Sequence, residues 1–265
     1  MAITTRDGLI AALAAAEREI VYKASIANAV ANTWHSLWRA TGQPAQGTTP
    51  TTAATCTNAT TGAVPFTTPG AGNSYVLGWD AQMANVGSLV LYDRLAHMGG
   101  LSGIVATPTA QTVNLTIPAG RDAAVNGSDV EWFLEWYSDT GGTGVNATVS
   151  YTDQTDTAGR TVVIALAATT RAGRLYPIPP NAGQFIKSIQ SVTLSATTGT
   201  AGNFGVTVAK RVASVPVAVT NQITTRDAFQ LGIPKIPTTA CLWLAMFCST
   251  TSTGVVNGQV LVGSG

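Results

Sequence analysis

The sequence predicts a mainly β protein: an antiparallel β-sandwich of jelly-roll type, with an N-terminal helical segment and an extended arm rich in Thr, Pro and Gly. Three observations carry this. Short runs alternate apolar and polar residues with a period of two, as in Val145, Ala147, Val149 and Tyr151 against Asn146, Thr148 and Ser150. Glycine-rich turns separate such runs, among them Thr140-Gly141-Gly142-Thr143-Gly144. Finally, the 265 residues have a positive mean hydropathy of +0.22 and a net charge of only +1, so a real core is expected rather than disorder.

Taken in order, residues 1–42 read as a helical arm. Thr4 can act as N-cap with Asp7 three residues on, and Asp7 places negative charge at the positive end of the helix dipole. Ala-rich sequence with Leu9, Ile10, Leu13, Ile20 and Val21 favours helix. A break is expected somewhere between Ser25 and Thr33. Trp34, Leu37 and Trp38 then form an apolar patch at helical spacing, closed by Thr41-Gly42 and Pro44. Residues 43–74 have no periodicity and no charge, and read as an extended loop or arm whose order would come from a neighbouring subunit.

Residues 75–214 read as the sandwich core. The run 88–95 suits strand or helix. Residues 112–117, 130–137, 145–151, 160–167, 185–195 and 204–212 read as strands. On 130–137, Val130, Trp132, Leu134 and Trp136 share one face, and Glu131, Phe133, Glu135 and Tyr137 the other. Residues 215–265 read as a short helix and strands that complete the core or an interface. There Ile223-Thr224-Thr225-Arg226-Asp227 repeats Ile3-Thr4-Thr5-Arg6-Asp7, a reused helix start rather than a duplicated domain.

Charge and cysteine content exclude several function classes. Fourteen Lys and Arg against thirteen Asp and Glu leave no basic field, and no basic arm stands at either end, so nucleic acid is not an expected partner. The longest apolar run, 240–248, is far short of the roughly 20 residues a membrane helix needs, and no membrane is expected. The run 9–16 resembles a signal-peptide core, but the charges on both sides favour a helix. Cys56, Cys241 and Cys248 make no disulfide framework and read as reduced thiols in a cytoplasm. The asparagines of four Asn-x-Ser/Thr sequons, 58, 114, 126 and 146, are accidents of a threonine-rich chain.

No constellation points to catalysis. The two histidines, His35 and His97, lack a partner at metal-ligand spacing and read as packing or surface residues. Glu131 and Glu135 would stand roughly 13 Å apart along a strand at about 3.3 Å per residue, too far for paired-carboxylate chemistry, and read as solvent-facing or interface charges. Asp139, Asp153 and Asp156 fit no calcium motif. No phosphate loop or Gly-x-Ser-x-Gly elbow is present; Gly-Ala-Gly at 70–72 is turn chemistry. We therefore expect no enzyme, no cofactor and no metal. Only 10% of the residues are charged, against roughly 25% in a typical soluble domain, which suits surfaces that become covered. Six tryptophans supply large rigid contact areas, and the candidate interface residues are Trp34, Leu37, Trp38, Trp132 and Trp136. The helix bearing Trp34 and Trp38 could equally fold back on its own sandwich.

Five stretches carry a resemblance. They are HSLWRATGQPAQGTTP (35–50), LVLYDRLAHMGGLSG (89–103), LEWYSDT (134–140), ATVSYTDQTDTAGRTVVIALAATTRAGRLYPIP (147–179) and IQSVTLSATTGTAGNFGVTVAKR (189–211). Over residues 34–212 the chain resembles virion structural proteins of tailed bacteriophages, most of all capsid decoration, or cement, proteins. The resemblance implies a homo-oligomer, a trimer in that family, at threefold positions of an icosahedral shell. It further implies the major capsid protein as partner, a place on the capsid surface, and synthesis in the host cytoplasm. It brings no catalytic residue. On this reading capsid binding survives high salt and fails when the residues before Gly47 are removed. A tail-fibre or baseplate module that stacks glycans on Trp132, Phe133, Trp136 and Tyr137, and a shell-forming capsid protein, are the alternatives.

Overall fold

The alternating run that opens at Val145 is a nine-residue strand whose odd positions are buried and whose even positions face outward, as the period-two pattern demands. The same logic builds most of the computed structural model, which describes residues 3–67, 72–105, 108–121, 124, 126–199 and 201–265. In chain order the strands are β1 (Glu17–Lys23), β2 (Thr33–Ser36), β3 (Gly42–Gln43), β4 (Ala54–Thr55), β5 (Ser74–Met83), β6 (Gly87–Ser102), β7 (Ala110–Thr116), β8 (Glu131–Trp136) and β9 (Val145–Asp153). They continue as β10 (Arg160–Leu166), β11 (Arg174–Pro177), β12 (Ile186–Leu194), β13 (Asn203–Val217), β14 (Thr224–Asp227), β15 (Lys235–Ile236), β16 (Leu242–Cys248) and β17 (Val256–Ser264). Two short helices, α1 (Arg6–Ala14) and α2 (Ala228–Leu231), complete the elements. The protein is mainly β and its sheets are antiparallel, with β-sandwich packing. Gly70 and Ala71 of the Gly-Ala-Gly turn and Thr200 of the 197–202 turn lie outside the described residues.

The chain divides into two compact units, so the expectation of one sandwich over 75–214 is corrected. The first unit holds Met1–Thr48, Thr57–Asp93 and Val212–Gly265; the second holds Thr49–Cys56 and Arg94–Arg211. In the first unit one sheet runs β14-β5-β17-β1-β3, with β15 also on β5. The second layer pairs β2 with β16 and β16 with residues 87–93 of β6. Val21, Val76, Trp79, Met83 and Val260 of the first layer share a core with Leu89, Leu91, Leu242, Leu244 and Met246 of the second. In the second unit a sheet β10-β9-β12-β7 faces a layer that includes β8, β11 and residues 203–209 of β13. Between them Val149, Tyr151, Ile189 and Val192 meet Trp132, Leu134, Trp136, Phe204 and Val206.

The N-terminal helix is much shorter than its composition suggests. It ends at Ala14, and the residues read as its continuation are β1, paired over seven residues with β17. Ile20, Val21 and Tyr22 are strong strand formers, and burial of Val21 and Lys23 on a sheet outweighs the helix propensity of the alanines before them. The cap is Thr5, not Thr4: Thr5 is extended and its Oγ1 accepts the Gly8 N–H at 3.0 Å. The repeated pentapeptide adopts another structure at its second site, where Thr224–Asp227 is β14 and Asp227 caps α2 in a box with Gln230.

The described residues of 43–74 likewise hydrogen-bond to their own chain. In the first unit the Gly47 N–H donates to the Trp38 carbonyl at 2.8 Å and the Val64 N–H to that of Leu242 at 2.7 Å. In the second, Cys56 N–H donates to Leu95 at 2.9 Å, and Ala54 and Thr55 pair with His97 and Ala96. Cys56 and Val64 are fully buried.

Candidate functional site

Four of the five proposed interface residues are core residues of their own chain. Trp34 and His35 lie on β2, not on a helix, and Leu37 and Trp38 follow it. The Leu37 N–H donates to the Leu244 carbonyl at 2.9 Å, and the Trp38 indole N–H to the Thr48 carbonyl at 2.7 Å. Trp38 stands edge-on to Trp243, with ring centroids 6.5 Å apart. In the second unit the Trp132 indole donates to the Ile186 carbonyl at 3.0 Å, and Trp136 stacks on Phe204 at 4.6 Å. Trp34 alone is partly exposed, packed edge-on against Phe247. Burial of Trp132, Phe133 and Trp136 also removes the stacking surface that a glycan would need.

The strongest electrostatic feature is one the sequence reading placed at the surface. Glu135 is fully buried, paired with the equally buried Arg94 of β6. Thr207 of β13 donates to the same carboxylate oxygen at 2.7 Å and accepts from Arg94 at 2.8 Å. His97 Nδ1 lies 2.9 Å from the Arg94 guanidinium. Burial, the largest single effect, would lower the Arg94 value, but Glu135, Tyr137 and Cys56 together raise it, keeping the guanidinium charged. Burial, then the positive Arg94, pushes His97 down to about 2. Burial, reinforced by Glu135, raises the Tyr137 phenol, which stays neutral. Glu131 differs: it is half-exposed and paired with Arg211 at 3.0 Å. The available signal was Asp93-Arg94 inside the apolar run LVLYDRLAHM, since charges there need buried partners. Asp93 finds one too, accepting the Cys241 N–H at 2.8 Å.

The three aspartates go to separate tasks. Asp153 accepts from Thr155, Thr157 and Arg160 and closes its own loop; these bonds, the Thr155 hydroxyl first, hold its carboxyl at about 2. Asp139 pairs with Arg171 at 2.8 Å and Asp156 with Lys187 at 2.5 Å. Among the described residues no three His, Cys, Asp or Glu gather where a metal could sit. All three cysteines are buried thiols outside any disulfide. His35 is buried on β2 and accepts the Val30 N–H at 3.2 Å. Among the described residues no helix is long and apolar enough to cross a membrane.

What the first unit does present is a sheet face only partly covered. Helix α1 packs Leu9 and Ala12 against Tyr75, Leu77 and Ala228 at one end of the outer face of the β5–β17–β1 sheet. Beyond it a cross-strand row reads Ile20, Gln259, Asp80 and Thr225. Ile20 and Ile223, 66% and 62% exposed, flank a hollow of about 240 Å³ floored by Asp80, Gln82, Asn257 and Gln259. Asp80 is shared with a second hollow of about 350 Å³ between Leu13 and Phe229, the latter 76% exposed. Burying such side chains is worth roughly 1.5–3 kcal/mol each when water is fully excluded. No local pattern marks this patch, because Leu13 and Ile20 lie in a run whose composition favours one long helix.

Comparison with known proteins adds little. No protein-family model matches the chain, and no curated protein matches it. Among solved structures it aligns with the infectious bursal disease virus VP2 subviral particle at 12% identity, over 94% of this chain and 81% of that one, with a TM-score of 0.21. The same virus's Gx strain gives 11% identity, the same coverages and a TM-score of 0.19. Particles with T=1 symmetry derived from that virus give 10% identity, 94% and 78% coverage, and 0.18. TM-scores of this size do not establish a common fold.

Proposed function

We propose that this chain is a non-enzymatic structural protein of a virion, acting on the outside of an icosahedral phage capsid as a decoration subunit that holds neighbouring capsomers together. The observation that carries the reading is the apolar outer face of the first unit's larger sheet, where Leu13, Ile20, Ile223 and Phe229 stand exposed around two adjoining hollows. The sparse charge of the chain supports it, because a surface with few charges loses little on desolvation. So does the resemblance of residues 34–212 to phage virion proteins. The contact surface differs from the one the sequence suggested: it is this sheet face, not a tryptophan-bearing arm. Removing the residues before Gly47 is accordingly no test of an arm, since it would delete α1 and the paired strands β1, β2 and β3.

Immunogold electron microscopy of the virions that carry the chain tests the reading. Label over the shell is the expected result. Label confined to the tail tip would replace decoration with a receptor-binding role, and unlabelled virions would overturn a virion role altogether.

A further inference from the structure

Among the second unit's buried polar groups, His97 has the most constrained chemistry. A guanidinium offers donors only and keeps its charge, so the His97 Nδ1 2.9 Å from Arg94 is the accepting nitrogen and the ring is neutral. We propose that His97 is a proton-operated latch: the second unit holds together while this ring is neutral, and acidification opens it. The groups around it leave no room for a second positive charge. Arg94 stands on the same strand, and its partner carboxylate Glu135 comes from β8. From β13 comes the Thr207 hydroxyl, and from the end of β8 the neutral Tyr137 phenol. The buried Cys56 thiol follows β4, and Arg121 adds a further positive group by donating to the Cys56 carbonyl at 3.1 Å. An imidazolium there would be a buried cation in contact with another cation.

The position makes the latch structural. Ala54 of β4 pairs with His97 itself, and the Arg94 guanidinium beside the ring reaches both β8 and β13. The direction follows from proton counting. An unfolded chain takes up a proton on this histidine near the ordinary value of about 6.5. The folded ring resists protonation down to about 2. Between those values the unfolded state binds one more proton, so the stability is complete above 6.5 and is lost as pH falls toward 2.

Urea unfolding of the full chain at pH 7.5 and 5.0, followed by deuterium uptake in peptides from residues 130–211, tests this against His97→Gln, which keeps a neutral acceptor. The unfolding equilibrium of the native chain should rise about 30-fold more on acidification than that of the variant. His35 and the carboxylates are common to both proteins and cancel. Parallel pH dependences would overturn the latch. Should the variant fail to fold, ¹⁵N NMR of the native imidazole decides: His97 stays neutral from pH 7.5 to 5.0 while folded, and titration near 6.5 in the folded state would overturn the proposal.

Discussion

Glu135 and Arg94 show how much one buried pair can govern. Both side chains are fully buried, so removing one partner strands the other charge in the core. Glu135→Gln should cost about 3–5 kcal/mol, whereas replacing both residues with apolar side chains of similar volume should cost much less. Urea denaturation of this single variant and of the double variant measures the difference. Gly47 is a residue-scale case of another kind. A Cβ there would lie 1.9 Å from the Trp38 ring, which is itself buried against Trp243. Gly47→Ala should cost about 1–3 kcal/mol through overpacking, seen as a lowered Tm. The pairing of faces on β8 was legible in the sequence, since alternation alone separates Glu135 from Trp136. The burial of Glu135 was not, because Arg94 stands 41 residues away and Thr207 72 residues away.

At the scale of elements, most strands were legible because alternation and glycine turns are local signals. Val145–Asp153 and Arg160–Leu166 were found within a residue or two. The failures came where a non-local pairing decides. Residues 17–23 follow an alanine-rich helix yet form β1, because β17 and β3 lie on either side of it. Trp34, Leu37 and Trp38 have helical spacing, but β16 draws β2 into a ladder. The identical pentapeptides at 3–7 and 223–227 start a helix in one place and form a strand in the other, so five residues do not determine an element. Lys23, at the end of β1, gives a prediction for this region. Its ammonium is buried and donates to the carbonyls of Ala40 at 3.2 Å and Pro44 at 2.7 Å. Burial lowers its value from 10.5 to about 8. Between those values the unfolded chain binds more protons, so stability should rise as pH goes from 8 to 10.5. Thermal unfolding across that window checks it, and Lys23→Met should abolish the rise.

For the whole molecule, composition raised the expectation of covered surfaces but pointed to no particular one. The tryptophans named as interface candidates are mostly spent on two cores. Leu13, Ile20, Ile223 and Phe229 instead stand exposed on one sheet face, brought together by segments far apart in sequence: Ile20 from β1 and Ile223 beside β14 meet across β17 and β5. A pattern distributed over more than 200 residues leaves no local trace. If this face works by apolar contact, association through it should hold at 1 M salt, where the Debye length is about 3 Å and surface charge attraction is screened. Cosedimentation of the purified full chain, native and Ile20→Lys/Phe229→Asp, with capsids that lack it is the most direct test. The account predicts that the native chain pellets with capsids in 1 M salt, and that the folded double variant stays in the supernatant. A native chain that does not bind capsids, or a variant that binds them as well as the native protein, would contradict it.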